Sequence, residues 1–410
     1  LSTLHGGGTG LAFLPRHASL SREGFDISQA AQLVFYPGDI CLNAQDVFRD
    51  LFMLKITDVE NSGCSATGND GDTEPAPSVP AAAPQDTPAA SVVVPTCGRP
   101  DLLDRCLSSL AQQQCDRSGF EIIVVDDAPA PATRAVVEKW AGQAASDRLS
   151  ISYLASTGPH GPAAARNVGW KAARSGIVAF TDDDTIAAPD WLSNGLRAFD
   201  HDVQAVWGRI EMPVPAIPTD YERDAKNLEN AEFVTANCFC RKQVLMELGG
   251  FDERFQFAWR EDSDFYFRLL GRPGRIMHAP SAKITHPVRP GSWGVSLRQQ
   301  KKIQSDALLY KKHPRLYRNK IRAVPRWDYY AIVLLLLTSI AASALGQPAL
   351  AAGAGSVWLL LSARFCLARL QPTLKTPSHI AEMIVTSALI PPLAVFWRMV
   401  GAVKFRVRFF

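Results

Sequence analysis

The chain of 410 residues has room for two to three domains of about 100–200 residues each. Its 47% hydrophobic and 20% charged residues exclude a chain that is disordered or collagen-like as a whole. The formal net charge of +3 conceals a gradient: 4 basic against 11 acidic residues in 1–90, 22 against 26 in 91–290, and 17 against 3 in 291–410. The last third also holds the longest apolar runs, which reads as a membrane signature, points away from a nucleic-acid partner and disfavours a purely soluble enzyme.

Residues 1–72 read as an N-terminal appendage with no assignable function, in which Val47, Phe48, Leu51, Phe52 and Leu54 carry helical spacing. No basic segment followed by an apolar core and a small-residue cleavage site opens it, so no secretory signal is expected. Residues 73–90, TEPAPSVPAAAPQDTPAA, form a Pro/Ala-rich extended linker. From Ser91 the pattern changes. SVVVP (91–95), FEIIVV (120–125), LSISYL (149–154) and GIVAF (176–180) are β-rich runs without polar alternation, predicted as strands buried on both faces. Between them Leu102, Leu103, Cys106, Leu107 and Leu110 form one helical stripe, and 131–144 and 162–174 predict two further helices. Such alternation predicts a Rossmann-like α/β fold with a mostly parallel sheet, whose ligands gather beyond the carboxyl ends of the strands.

Those ends carry the chemistry. The first run ends in Pro95-Thr96-Cys97-Gly98-Arg99-Pro100, the second in Asp126-Asp127 and the fourth in Thr181-Asp182-Asp183-Asp184. Asp182 and Asp184 are two apart, so in extended chain they share a face and can approach one divalent cation, Mg²⁺ or Mn²⁺. A solvated Asp-rich turn is the plain alternative, and the position at a buried strand end favours the metal. The eight cysteines are irregularly spaced and include no CxxC pair, so reduced thiols are expected.

At this point the sequence resembles the family 2 glycosyltransferases, with their nucleotide-sugar-binding GT-A fold. The resemblance rests on VVVPTCGRP (92–100), VVDD (124–127), GPAAARNVGW (161–170), AFTDDD (179–184) with PDWL (189–192), GGFDERF (249–255), REDSDFYFRL (260–269) and THPVR (285–289), in the family's order over roughly 91–312. It implies that Pro95, Thr96 and Arg99 line the nucleotide pocket, with Asp126 or Asp127 near the base. Arg166 and Asn167 would face the nucleotide and diphosphate, on a helix whose start near Gly161 favours anions. Asp182 and Asp184 would match the metal motif, with Asp183 among the nucleotide-sugar contacts. Thr181 departs from the apolar residue that the family more often has there.

The resemblance further implies that Glu261-Asp262 is the acceptor-side acidic pair, with Asp262 as general base and Glu261 and Asp264 as other candidates. Acids in the first turn of a helix are favoured by its macrodipole in any case. His286 would approach the metal or diphosphate, with Arg289 three residues on. Trp259 beside the acidic pair is a candidate sugar-stacking residue, as is Trp207 more weakly, and Asn237 a further acceptor-side candidate. Cys238 and Cys240 read as packing residues.

Residues 298–326 hold ten Lys/Arg against Asp306 alone, so 291–328 is expected to be a basic amphipathic juxtamembrane segment on an anionic leaflet. In the membrane region 329–410, Tyr329 to Leu345 and Pro348 to Ala363 read as a helical hairpin. Ile380 to Trp397, containing Glu382 and broken by Pro391-Pro392, reads as an interfacial or re-entrant segment. The expected location is a bacterial-type inner (cytoplasmic) membrane with the catalytic domain, 91–290, facing the cytosol. The expected activity is inverting, metal-dependent transfer of one sugar from a nucleotide-sugar donor to a lipid-linked or cell-surface glycan acceptor. No Gln-x-x-Arg-Trp stretch follows the acidic pair, which favours single-sugar transfer over polymer synthesis. A nucleotidyltransferase would leave the Glu261-Asp262 and His286–Arg289 segments unexplained, and a non-catalytic membrane scaffold would not require the acidic motifs.

Overall fold

The computed structural model describes residues 87–114, 119–144 and 149–409. The appendage expected over 1–72, its helical spacing included, and most of the linker lie outside the described residues. Eight strands form one sheet: β1 (Ala90–Thr96), β2 (Phe120–Asp126), β3 (Leu149–Ala155), β4 (Ile177–Phe180), β5 (Ile186–Ala187), β6 (Val203–Glu211), β7 (Cys238–Arg241) and β8 (Arg275–Thr285). Their order is β3-β2-β1-β4-β7-β6-β8-β5. The first four neighbours run parallel, β7 is antiparallel to β4 and β6, β8 is parallel to β6, and β5 is antiparallel to β8. This is the mostly parallel sheet that the alternating pattern predicts.

Helices α1 (Pro100–Ala111), α2 (Pro131–Gln143) and α3 (Pro162–Ala172) make the crossovers, and each opens on a proline whose fixed φ suits the first helical position. The period of two along the strands splits the core. Val92, Val94, Ile122 and Val124 pack with Leu103 and Leu107 on one face, while Val93, Ile123 and Val125 pack with Ala165, Trp170 and Phe180 on the other. Strand β3 differs from its expectation: its positions alternate between half-buried and exposed, because it forms the sheet edge. The small residues of α3 let it lie close on β1, and a Cβ at Gly169 would collide with Val93.

The chain continues through α4 (Trp191–Arg197), α5 (Asp220–Ala225), α6 (Lys242–Leu248), α7 (Glu261–Leu270), α8 (Val295–Gln299) and α9 (Gln304–Lys312) to α10 (Trp327–Ala344), α11 (Pro348–Leu370) and α12 (Pro377–Lys404). One face of the basic connector packs into the fold. Gln300, Lys302, Gln304, Ser305 and Asp306 are buried, and Leu308, Leu309 and Tyr317 share a core with Phe255, Phe267 and Phe409. Its apolar residues found protein partners, leaving part of its charge inside the fold.

Helices α10, α11 and α12 are each long and apolar enough to cross a membrane. The break expected at Pro391-Pro392 is not found: α12 runs unbroken for 28 residues. Proline removes single ladder bonds, and packing by neighbouring helices tolerates that loss here, where Ile390 and Pro391 are buried. Both ends of α12 touch segments that precede α10. At its start Glu382 accepts from Gly294 N at 2.7 Å, and just before it Leu374 N donates to Pro218 O at 2.9 Å. At its end Lys311 Nζ donates to Phe405 O at 2.9 Å, and a Cβ on Gly401 would lie 2.5 Å from Gln304 O. The α10–α11 hairpin meets the middle of α12, where Tyr329 and Phe365 join Ile390, Ala394 and Val395.

Candidate active site

The site is built on the carboxyl ends of β1 and β4. Beyond β4 the three aspartates divide by direction. Asp183 turns inward, fully buried, and accepts from Thr96 Oγ1 at 2.6 Å and Arg99 Nε at 3.1 Å. Asp182 and Asp184 flank it. Asp184 lies 3.4 Å from His286 Nε2, 3.1 Å from Arg289 Nε and 4.0 Å from Arg99. Ligand atoms of Asp182, Asp184 and His286 all lie within 4.8 Å of one another. Two carboxylates and an imidazole suit a Mn²⁺- or Mg²⁺-like cation, and His286 Nδ1 is buried with no partner among the described residues.

Charge in this corner is strongly coupled. Burial pushes the Asp183 carboxyl up to about 7, against the pull of Arg99. Burial acts the same way on Asp184, yet His286, Arg289 and Arg99 together hold it below the usual carboxylate range. Asp184 therefore carries its negative charge at neutral pH, as a cation ligand must.

Arg166 on α3 joins the two halves of the site. One terminal nitrogen donates to Asp182 Oδ1 at 2.7 Å and the other to Glu261 Oε1 at 3.1 Å, with the guanidinium almost wholly buried. The aspartate-rich turn and the acids of α7 thus share one cleft. Within α7 the acids separate by partner. Asp264 is fully buried and held by Arg268, Lys312 and His313, so it is structural. Glu261 is committed to Arg166. Asp262 makes no ion pair among the described residues, its Oδ1 accepting from Ser263 N at 2.6 Å, and burial raises its carboxyl toward the range useful to a base.

Other sequence-derived candidates serve as braces. Pro95 is a buried strand residue opposite Val125. Asp126 is buried and accepts from Ala128 N, Ala130 N and Tyr153 Oη, while Asp127 accepts from Gly161 N at 2.8 Å and ties β2 to the start of α3. Asn167 turns away from the cleft, bonding Phe251 through both amide atoms and also Glu253. Asn237 clamps Arg209 O, Ala282 O and the Trp191 indole. Trp259 is 2% exposed and donates to Asp306, so its ring offers no sugar platform, and Trp207 stacks on His278. Cysteines 106, 238, 240 and 366 are free.

Asp306 was missed as a site-shaping residue. It accepts from Arg260 Nε at 2.6 Å, Trp259 Nε1 at 3.0 Å and Tyr317 Oη at 3.3 Å, all inside the fold. Arg260 stands at φ +78°, a left-handed conformation costly for a side-chain-bearing residue, immediately before Glu261-Asp262. The buried ion pair holds that turn, and with it the start of α7. The signal was a lone acid among ten cations.

Residues 91–249 match the family model "Glycosyl transferase family 2", and residues 219–400 match "Glycosyl transferase family group 2". Both models describe glycosyl transferases of family 2 or family group 2, and together they span residues 91–400 of this chain. This glycosyltransferase is 25% identical over 250 residues to glycosyltransferase AglE of Haloferax volcanii, covering 58% of this chain and 80% of that relative. It is 30% identical over 215 residues to a pre-mycofactocin glycosyltransferase of Mycobacterium tuberculosis, spanning 48% of this chain but 43% of the relative. Among solved structures it is similar to the mannosyltransferase PcManGT from Pyrobaculum calidifontis in complex with GDP-Man and Mn²⁺. There the TM-score is 0.47 and the identity 20%, over 79% of this chain and 89% of that one.

One property of this glycosyltransferase follows from Glu261. Burial pushes its carboxyl up to about 7, with Asp262 adding to the rise and Arg166 opposing it. A carboxyl harder to ionise when folded contributes stability below its ordinary value of 4.5, and the contribution disappears as pH rises through about 7. Glu261→Gln is therefore expected to melt close to wild type at pH 5 and a few degrees above it at pH 8. Calorimetry giving the same difference at both pH values would reject the shift.

Proposed function

We propose that this glycosyltransferase moves a single sugar, with inversion, from a nucleotide-sugar donor to a hydroxyl of a lipid-linked or cell-surface glycan precursor. The observation that carries the reading is Arg166, which bonds Asp182 on one side and Glu261 on the other. On the donor side, Thr96, Arg99 and Asp127 line the nucleotide pocket, and Asp182, Asp184 and His286 hold a divalent cation. When bound, that cation neutralises charge on the diphosphate. Asp262 accepts the proton of the acceptor hydroxyl as the new C–O bond forms. The electron pair of the broken glycosidic bond leaves on the diphosphate oxygen, where Arg166 stabilises the growing charge.

The test is a panel of nucleotide sugars offered to detergent-solubilised protein with Mn²⁺, with and without bacterial lipid extract. Nucleoside diphosphate release from one donor, stimulated by the extract, is expected. No release from any donor would sink the reading.

The same reading places the enzyme in a bacterial-type inner membrane, with the catalytic domain and the C-terminus both in the cytosol. It is supported by the two contacts of α12 with the connector that precedes α10, one near each end. In that arrangement α10 and α11 cross and α12 lies along the interface, with Arg398, Lys404, Arg406 and Arg408 on the cytosolic side. A C-terminal alkaline phosphatase fusion is expected to be inactive and a C-terminal green fluorescent protein fusion bright. The reverse pattern would restore three crossings.

A further inference from the structure

Nothing local holds the start of α7. Its first helical bond, from Asp264 N to Arg260 O at 2.9 Å, closes on a residue at φ +78°, and the Arg260 side chain makes no capping bond. Arginine is neither a preferred cap nor suited to left-handed backbone, so the turn that presents Glu261-Asp262 needs support from elsewhere. That support comes from a carboxylate 46 residues away. Asp306 on α9, itself buried, accepts from Arg260 Nε at 2.6 Å and from Trp259 Nε1 at 3.0 Å, both on Oδ1. Tyr317 Oη donates to its other oxygen at 3.3 Å. The two residues that lead into the acidic pair therefore hang on one side chain. The end of the chain packs against the helix that carries it. Gly401 on α12 lies against Gln304 O, and the Phe409 ring packs on Tyr310 and Tyr317, at 5.2 and 5.4 Å between ring centres.

We propose that Asp306 is a positioning residue for sugar transfer, which sets the Asp262 carboxylate through Arg260 and makes its placement depend on the docked end of the chain. The role rests on the reading of Asp262 as the base. A glycine at position 260 would take the left-handed conformation without help; with arginine there, the turn is conditional on a charge supplied by the connector. The donor corner is held separately, by the contacts of Asp183 with Thr96 and Arg99 and of Asp184 with His286. Loss of the brace should therefore appear in turnover and not in donor affinity, because a base moved off its line of attack still leaves the nucleotide pocket intact. The packing of Phe409 on Tyr317 carries the same dependence to the last residues of the chain, so the helices that anchor the enzyme also set its acceptor side.

The experiment uses the full chain in detergent with Mn²⁺ and bacterial lipid extract, and reads nucleoside diphosphate release against donor concentration. Asp306→Asn is expected to lower kcat at least about tenfold, within the roughly hundredfold loss that a displacement of about 1 Å can cause, with the donor KM within about twofold of wild type. Arg260→Gly combined with Asp306→Asn is expected to recover most of that kcat, since glycine holds φ +78° without the ion pair. A role in stability alone predicts the opposite, because the double variant loses more packing than the single one. Phe409→Ala, which leaves the ion pair in place, is expected to lower kcat about threefold or more in the same pattern. Hydrogen exchange, which needs no substrate, is expected to quicken over residues 261–265 in Asp306→Asn and to stay unchanged over 180–185. Wild-type kcat in Asp306→Asn, a donor KM that rises as kcat falls, or no recovery in the double variant overturns the role, and wild-type kcat in Phe409→Ala overturns the link to the end of the chain. Release of no nucleotide by wild type would sink the transfer reading and this role with it, whereas an active wild type with an unaffected Asp306→Asn overturns this role alone.

Discussion

Asparagine at position 262 is expected to lower sugar transfer by about a thousandfold, within the range that a positioned base contributes. Donor affinity should stay within about twofold of wild type, because nothing on the nucleotide side touches this carboxylate. The substitution keeps the volume of the side chain and the Oδ1 that accepts from Ser263 N at 2.6 Å, so the start of α7 should persist. What it removes is a carboxylate with no cation paired to it among the described residues, unlike Glu261 on Arg166 or Asp264 among Arg268, Lys312 and His313. Transfer kinetics and calorimetric donor titration together decide the case. Wild-type turnover in Asp262→Asn would move the role of base to another residue.

Alanine at position 184 should fail at an earlier stage, losing metal-dependent donor binding by at least about a hundredfold, since even outer-shell partners of a metal typically contribute up to that much. The Asp184 carboxylate lies within 4.0 Å of His286, Arg289 and Arg99, so its removal leaves three basic groups facing one another. Asp184→Asn relieves less of that repulsion than wild type does but preserves the shape, and it serves as the check on folding. Titrating Mn²⁺ against fixed nucleotide gives the readout. An undiminished Mn²⁺ requirement in Asp184→Ala would remove Asp184 from the ligand set.

Much of the donor side was legible because its signals are local. A buried strand announces itself by an unbroken apolar run, and the residues just after that run must lie at the sheet edge, so Thr96, Arg99 and the three aspartates could be placed there from spacing alone. The period of two also predicted that Asp182 and Asp184 share a side, and their oxygens do converge with His286. His286 itself depended on resemblance, since 102 residues separate it from Asp184 and no local pattern joins them.

The reading was weaker where a side chain's role depends on what comes to meet it. Asn167 and Asn237 have the polarity of ligand-binding groups, yet each has its hydrogen bonds taken by backbone carbonyls and amides of distant segments. Trp259 faces Asp306 instead of a cleft. Proline residues 391 and 392 carry a strong local signal for a break, and packing against α10 and α11 outweighed it.

The sequence by itself determined the α/β alternation, the acidic strand end, the apolar character of the last third and the excess of cations before it, because each depends on neighbours along the chain. Only the tertiary structure decided that Asp183 turns inward while its flanking aspartates do not, and that Arg166 links them to Glu261. It also decided that Asp306 reaches from the connector to hold the turn before Asp262. Burial and ion pairing are set by groups 16 to 95 residues apart for these contacts of the cleft, and such distances have no signature in composition or period.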